Sequence, residues 1–347
     1  MKNKIISSDV ARILSSEIID WERFNGKSVL ITGANGMLPS YLVYTLLELN
    51  NRCIATKVIA LVRSKEKAER IFCDYLSDEN LEILVQDVCN EIKYSGEIDF
   101  IIHAASQASP KFYGVDPVGT IMANVRGTEN ILRLATEKQC ESVLYFSSGE
   151  VYGQVDNHDI SETEYGYIDP TKVRSCYGES KRMGENLCVS WSYQYGTPVK
   201  IVRPFHTYGP GMQRNDGRVF ADFAYNIFDN KDIVLRSDGS AERAFCYITD
   251  ASIAYFKVLL DGKDKEAYNV GNQDACISIR NLAKMLVNLF PEKHLKCVFD
   301  IDENDMRTGK MKSPLTRSVP NTAKLKALCW NPSVTIEEGF KRTIENF

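Results

Sequence analysis

From Lys27 onward, short apolar runs alternate with stretches of helical periodicity, and this alternation constrains the fold more than any other feature of the chain. The runs at 28–32, 57–63, 81–86, 100–104, 142–147 and 199–203 are apolar almost throughout, the pattern of parallel strands covered on both faces. Such strands separated by helices imply an α/β architecture, a doubly wound parallel sheet. Beyond Arg203, glycine, proline and turn residues become more frequent, which predicts a smaller C-terminal lobe interleaved with returning elements of the sheet domain. The resulting division is a helical extension over 1–26, a sheet domain over 27–204 and a second lobe over most of 205–347. In the extension, Val10, Ile13, Leu14, Ile18 and Ile19 recur at helical spacing behind Ser8, predicting a capped packing helix over 9–19. Longer helices are predicted over 120–138 and 177–195.

Charge and cysteine usage narrow the partners. Lys and Arg number 42 against 46 Asp and Glu, so the chain lacks the basic footprint of a nucleic-acid or anionic-membrane binder, and a small-molecule partner is expected. The ten cysteines stand singly, without Cys-x-x-Cys, and histidines number only four; no metal site is expected, and the thiols suit a reducing, cytoplasmic setting. Asp9, Arg12, Glu17 and Asp20 interrupt the N-terminal apolar positions, which argues against a signal peptide, and no run approaches membrane-spanning length.

The first strand runs Val29-Leu30-Ile31-Thr32 into Gly33-Ala34-Asn35-Gly36-Met37-Leu38-Pro39, with a helix expected from about Ser40. A glycine turn at a helix N-terminus aims backbone N–H groups and the positive end of the helix dipole at a pyrophosphate. Gly33 serves the turn and Gly36 the close approach; Pro39, tolerated in a first helical turn, replaces the usual third glycine. Residues 27–204 are therefore read as dinucleotide-binding. Where an acidic residue normally accepts the ribose hydroxyls, this chain has Arg63-Ser64. Arg63 suits a 2'-phosphate or adenine stacking, so NADP is not excluded. NAD is favoured, because the chemistry below returns its hydride. Asp87 and Val88, after the third strand, are placed to meet the adenine.

Tyr177 and Lys181 are four residues apart, which on a helix puts both on one face. A nearby ammonium lowers a phenol's pKa, so Tyr177 suits a general base on a sugar hydroxyl, with Lys181 also holding the nicotinamide ribose. The pair follows the strand ending Phe146-Ser147-Ser148-Gly149-Glu150, from which Ser148 is expected to hydrogen-bond the same oxygen.

The glycine loop, His103-Ala104-Ala105-Ser106, Ser147-Ser148-Gly149-Glu150-Val151-Tyr152-Gly153, the Tyr177/Lys181 pair and Arg203-Pro204-Phe205-His206-Thr207-Tyr208-Gly209-Pro210 resemble extended short-chain dehydrogenase/reductases of nucleotide sugars, from about Lys27 to the end. The likeness is greatest to UDP-glucuronate decarboxylases (UDP-xylose synthases). It rests on Ala105-Ser106-Gln107-Ala108-Ser109-Pro110 with Tyr113, on Arg174-Ser175-Cys176-Tyr177 through Arg182, and on Asn215-Asp216-Gly217-Arg218-Val219 with Arg243-Ala244-Phe245.

The resemblance implies a Rossmann-type domain with a smaller substrate-binding lobe, and a homodimer formed through the two long helices. It implies cofactor contacts from Gly33, Asn35, Gly36, Met37, Arg63, Asp87, Val88, Ala104, Ala105, Ser106, Asn124, Ser147, Tyr177, Lys181 and Pro204. For a nucleotide-sugar substrate it implies Pro110, Tyr113, His206, Arg218 and Arg243, with Glu150 and Arg243 beside C5. The implied reaction oxidises C4, loses carbon dioxide from the 4-keto sugar and returns the hydride. Glu150 favours C5 chemistry over simple 4-epimerisation. Gly149 stands where the decarboxylases usually carry Ser and 4,6-dehydratases the Asp that protonates the leaving hydroxyl, and His206 stands where Asn is usual. Decarboxylation of UDP-glucuronate to UDP-xylose or a related 4-keto pentose is thus expected first, NDP-hexose 4,6-dehydration second, and 4-epimerisation or C4 oxidoreduction third. A NAD-bound sensor that had lost chemistry would be expected to lose Tyr177 or Lys181, and both are present.

Overall fold

The computed structural model describes residues 1–156, 158–300 and 316–347. Six strands form where the apolar runs predict them: β1 (Lys27–Thr32), β2 (Thr56–Val62), β3 (Leu81–Val85), β4 (Phe100–His103), β5 (Ser142–Phe146) and β6 (Val199–Pro204). A seventh, Ala267–Val270, pairs with β6 in the register Ala267 to Ile201, and the parallel sheet runs Ala267–Val270, β6, β5, β4, β1, β2, β3. This strand escapes the apolar pattern because Asn269 lies inside it. The fully buried amide accepts from Tyr152 Oη at 2.6 Å and donates to Ile160 O at 2.8 Å, so its polarity is satisfied. Strand order reverses between β1 and β4, opening a crevice at their C-terminal ends.

Alternation within a strand divides its side chains between two cores: Val29 and Ile31 face one, Leu30 the other. The first core is continuous from Val10 of the N-terminal helix to Phe220 and Phe340 of the second lobe. That helix, α1 (Lys4–Leu14), lies earlier than the predicted 9–19. Asn3, not Ser8, is the cap, accepting from the Ile5 and Ile6 N–H groups, and Ser8 sits inside the helix donating to Ile5 O. Helix α2 starts at Met37 rather than near Ser40 and runs to Leu49, so Pro39 lies in its first turn. After α3 (Lys65–Ile71), helices α4 (Pro117–Glu137) and α5 (Cys176–Tyr195) lie against each other on the face opposite α2. The second lobe contributes α6 (Val219–Phe228) and the short sheet Cys276–Ser278, Glu242–Ala244, Arg317–Ser318; α7 (Ile248–Asp261) returns to cover β5 and β6.

Candidate active site

The phosphate loop takes its shape from a hydrogen-bond chain behind it. Thr32 Oγ1 accepts the Ala104 and Ala105 N–H groups at 3.1 and 3.0 Å, so its proton points at His103 Nδ1, 2.8 Å away. His103 Nε2 then carries hydrogen and donates to Thr128 Oγ1 at 3.1 Å, which donates to Asn124 O. Burial pushes the His103 pKa down to about 3, so this tautomer is neutral and structural. Gly33 has φ +63°, and a Cβ there would lie 2.9 Å from Ala105 Cα; only glycine allows the two loops to meet. Gly36 caps α2 without a side chain, leaving the helix's first N–H groups open to an anion.

A dinucleotide fits these residues. Ser106 Oγ and Asn124 Oδ1 are buried without a hydrogen-bond partner among the described residues, in the crevice where a cofactor would supply one. Asn35 spans the loop to Ser64 O at 3.5 Å, and Met37 opens α2. Arg63 and Asp87 stand together at the ends of β2 and β3, 4.0 Å apart, with Val88 buried beneath. A carboxylate beside Arg63 opposes a 2'-phosphate and leaves acceptors for ribose hydroxyls.

The candidate catalytic residues are placed by α5 lying over the end of β5. Lys181 is 2% exposed and donates from Nζ to Phe146 O at 2.6 Å. Burial pushes it down to about 7, against the opposing Cys188 and Glu185. Burial likewise raises Tyr177 to about 12, while the Ser148 hydroxyl beside it pulls the other way. The Lys181 ammonium lies 5.9 Å from the Tyr177 ring centroid. Ser148 also caps the short turn Gly149–Tyr152 by accepting from Glu150 N at 3.2 Å, which fixes where Glu150 leaves the strand.

Around Tyr177 the substrate side assembles from three loops. The Tyr113 ring stacks on Tyr177 at 5.0 Å and 16°, and the Arg174 guanidinium lies 5.0 Å over Tyr113. Arg174 also pairs with Glu150 at 2.9 Å. Pro110 opens the turn that leads to Tyr113, and Ser109 next to it donates to Asp216 O. Asp216 in turn grips Arg218, whose charge acts on both Tyr177 and His206. Arg243, on Glu242–Ala244, donates to Glu242 O at 2.7 Å; burial pulls its pKa down, and the Glu150 charge acts against that. His206 has φ +24°, which a side chain rarely adopts, and burial with Arg243 and Arg218 nearby drives its pKa well below normal. Gly149 lies under the Phe205 ring, where a Cβ would come within 3.0 Å.

The structure thus brings Tyr177, Lys181, Ser148, Glu150, Arg243, Tyr113, Arg218 and His206 to one crevice. Pro204, at the end of β6, is half-buried beside Phe205. The Ser147 hydroxyl does not face the crevice freely: it donates to Glu185 at 2.5 Å. Sequence reasoning assigned no role to Glu185, Arg174 or Asp216. Glu185 was visible as the next step, four residues on, of the Tyr177–Lys181 stripe; Arg174 and Asp216 both lay within the motifs that carry the resemblance, at 174–182 and 215–219.

Residues 29–271 match the family described as "NAD dependent epimerase/dehydratase family". The chain is 32% identical over 322 residues to UDP-glucuronic acid decarboxylase 3 of Arabidopsis thaliana, covering 92% of this chain and 88% of that protein. It is 30% identical to UDP-glucuronic acid decarboxylase 1 of Xenopus tropicalis, over 92% of this chain and 72% of that one. Its fold is similar to that of UDP-glucose 4-epimerase from Thermotoga maritima, with TM-score 0.78, 23% identity and coverage of 92% and 98%. It also resembles the dTDP-glucose 4,6-dehydratase DesIV of Streptomyces venezuelae, with TM-score 0.75, 23% identity and coverage of 92% and 96%.

Proposed function

The chain belongs to the NAD dependent epimerase/dehydratase family, and from that premise we propose that it decarboxylates UDP-glucuronate to UDP-xylose or a related 4-keto pentose. The observation carrying this reading is the Glu150 carboxylate held by Arg174 beside the Tyr113–Tyr177 stack, with Arg243 near enough for the Glu150 charge to act on it. A site working only at C4 needs no such array, whereas a C5 carboxylate needs cations to bind it and an acid to replace it with a proton.

NAD, when bound, supplies the hydride acceptor for C4 and returns the hydride at the end. Gly33, Gly36, Asn35, Ser106 and Asn124 would hold it. Tyr177 takes the proton of the C4 hydroxyl, and Lys181 favours the phenolate by charge. The C4 ketone beside the C5 carboxylate makes a β-keto acid. Its C5–carboxyl bond breaks as carbon dioxide leaves, and the electron pair moves into an enolate oxygen that the Ser148 and Tyr177 hydroxyls stabilise. Glu150, with Arg243, manages the carboxylate and delivers the proton to C5. Tyr177 finally reprotonates the C4 oxygen.

Dehydration is disfavoured because Gly149 offers no side chain to protonate a leaving hydroxyl, whereas carbon dioxide leaves without a proton. The Arg63–Asp87 pair supports NAD over NADP. No helix among the described residues is long and apolar enough to cross a membrane; the unpaired cysteines support a cytoplasmic setting. We place a homodimer contact on the outer faces of α4 and α5, where Val118, Met122 and Met183 are exposed. Incubation of the protein with UDP-glucuronate and NAD, followed by mass spectrometry, tests the reaction. Loss of carbon dioxide from the sugar nucleotide is expected; UDP-glucuronate returned unchanged, with a hexose nucleotide losing water instead, overturns the proposal.

A further inference from the structure

We propose that Glu185 is a positioning residue: through Ser147 it holds the end of β5 so that Ser148 meets the Tyr177 phenol, and its charge, one helical turn from Lys181, opposes the loss of the ammonium proton. This rests on the roles of Tyr177, Ser148 and Lys181 proposed above.

The geometry is a zipper between a strand end and a helix face. Tyr177, Lys181 and Glu185 occupy successive turns of α5. Against them lie three consecutive residues: Phe146 O accepts from Lys181 at 2.6 Å, Ser147 Oγ donates to Glu185 Oε1 at 2.5 Å, and Ser148 lies beside Tyr177. Glu185 is itself immobilised, because Arg203 on β6 grips both its oxygens at 2.8 and 2.6 Å. Arg203 is 3% exposed at its side chain and is further held by Tyr152 Oη and Glu162 O. A buried ion pair is weak evidence of stability, so its attachment to the residue preceding the catalytic serine is the more informative feature.

The groups facing Lys181 define its electrostatics. They are Tyr145 from β5, His103 from β4, and Tyr177, Glu185 and Cys188 from its own helix, with Arg203 of β6 behind Glu185. His103 is neutral, and burial pushes the Cys188 thiol and the Tyr145 and Tyr177 phenols upward, so these stay protonated near neutrality. Glu185 is the anion in this described set. Among the described residues no carboxylate is in direct contact with Lys181; its own hydrogen bond goes to a backbone carbonyl.

Two variants separate the two roles. Ser147→Ala removes the link and keeps the charge: kcat should fall between about tenfold and a hundredfold with KM little changed, as for a misplaced catalytic group. Glu185→Gln removes the charge: the Lys181 titration midpoint, followed by NMR of lysine ε-carbons and assigned by loss of the signal in Lys181→Met, should move to lower pH. The NMR arm needs no sugar substrate, so it stands if the decarboxylase reading fails, and kcat is read with whichever nucleotide sugar is turned over. Wild-type kcat in Ser147→Ala overturns the positioning role; an unmoved midpoint in folded Glu185→Gln overturns the electrostatic one. If Glu185→Gln does not fold, Glu185→Asp keeps a charge opposite Arg203 with a shorter reach. It should then lose kcat as Ser147→Ala does while the midpoint stays near wild type; wild-type kcat there overturns the proposal.

Discussion

At the residue scale the site depends on a few positions where a side chain is either forbidden or kept neutral. Gly149→Ala should lower stability by about 1–3 kcal/mol, because its Cβ would press on the Phe205 ring 3.0 Å away in a packed pocket. A thermal melt measures this. His103 links the loop to pH. The folded protein refuses its proton until about 3, whereas the ordinary value is 6.5, so between these limits the unfolded chain binds more protons. Stability therefore rises with pH across that window and is lost as pH falls through it. Urea midpoints at several values within the window should show the slope in the wild type. They should show a shallower one in His103→Gln, which also loses about 1–3 kcal/mol near neutrality through its two broken hydrogen bonds. The motifs revealed which residues form the site but not their state. Tyr177 and Lys181 were legible from spacing, while their displacement to about 12 and about 7 arises from burial, which only packing decides.

At the element scale, α1 is more than an apolar patch on the main fold. Its Asp9, fully buried, accepts from Tyr41 Oη on α2 at 2.9 Å and from Tyr247 Oη at 2.8 Å, and pairs with Arg342 of the C-terminal helix Ile336–Glu345 at 2.5 Å. One carboxylate thus joins the N-terminal helix, the helix that opens at the phosphate loop, the segment leading into α7 and the C-terminal helix. Asp9→Ala should cost about 3 kcal/mol or more in urea denaturation, since it strands Arg342 and two phenols against a buried cavity. The hydrophobic periodicity of this segment identified a helix and misplaced it. Val10, Ile13 and Leu14 do pack, but the boundary follows the Asn3 cap and the buried Asp9, and a buried acid runs against the pattern on which periodicity relies.

At the scale of the whole molecule, α5 turns Tyr177 and Lys181 inward, while α4 and α5 both leave apolar side chains exposed. Val118, Met122 and Met183 are 64%, 43% and 53% exposed, and the homodimer contact proposed above rests on them. Paired substitutions Met122→Glu and Met183→Glu should convert a dimer to monomer in sedimentation velocity without unfolding it; a wild type that sediments as monomer excludes this contact.

The alternating apolar runs by themselves determined six of the seven strands of the parallel sheet, because a strand covered by helices has few other sequences open to it. The phosphate loop and the Tyr177–Lys181 stripe were equally local, set by turn conformation and helical period. What only the tertiary structure decided is everything that pairs distant residues. Asn269 entered the strand at the edge of the sheet because Tyr152 and Ile160 satisfy its amide, and Glu185 reached Ser147 because β5, β6 and α5 converge. Phe205 closed over Gly149, and Arg174 bridged Glu150 to the Tyr113–Tyr177 stack. Burial energies and hydrogen-bond partners belong to contacts across the fold, and no local pattern carries them.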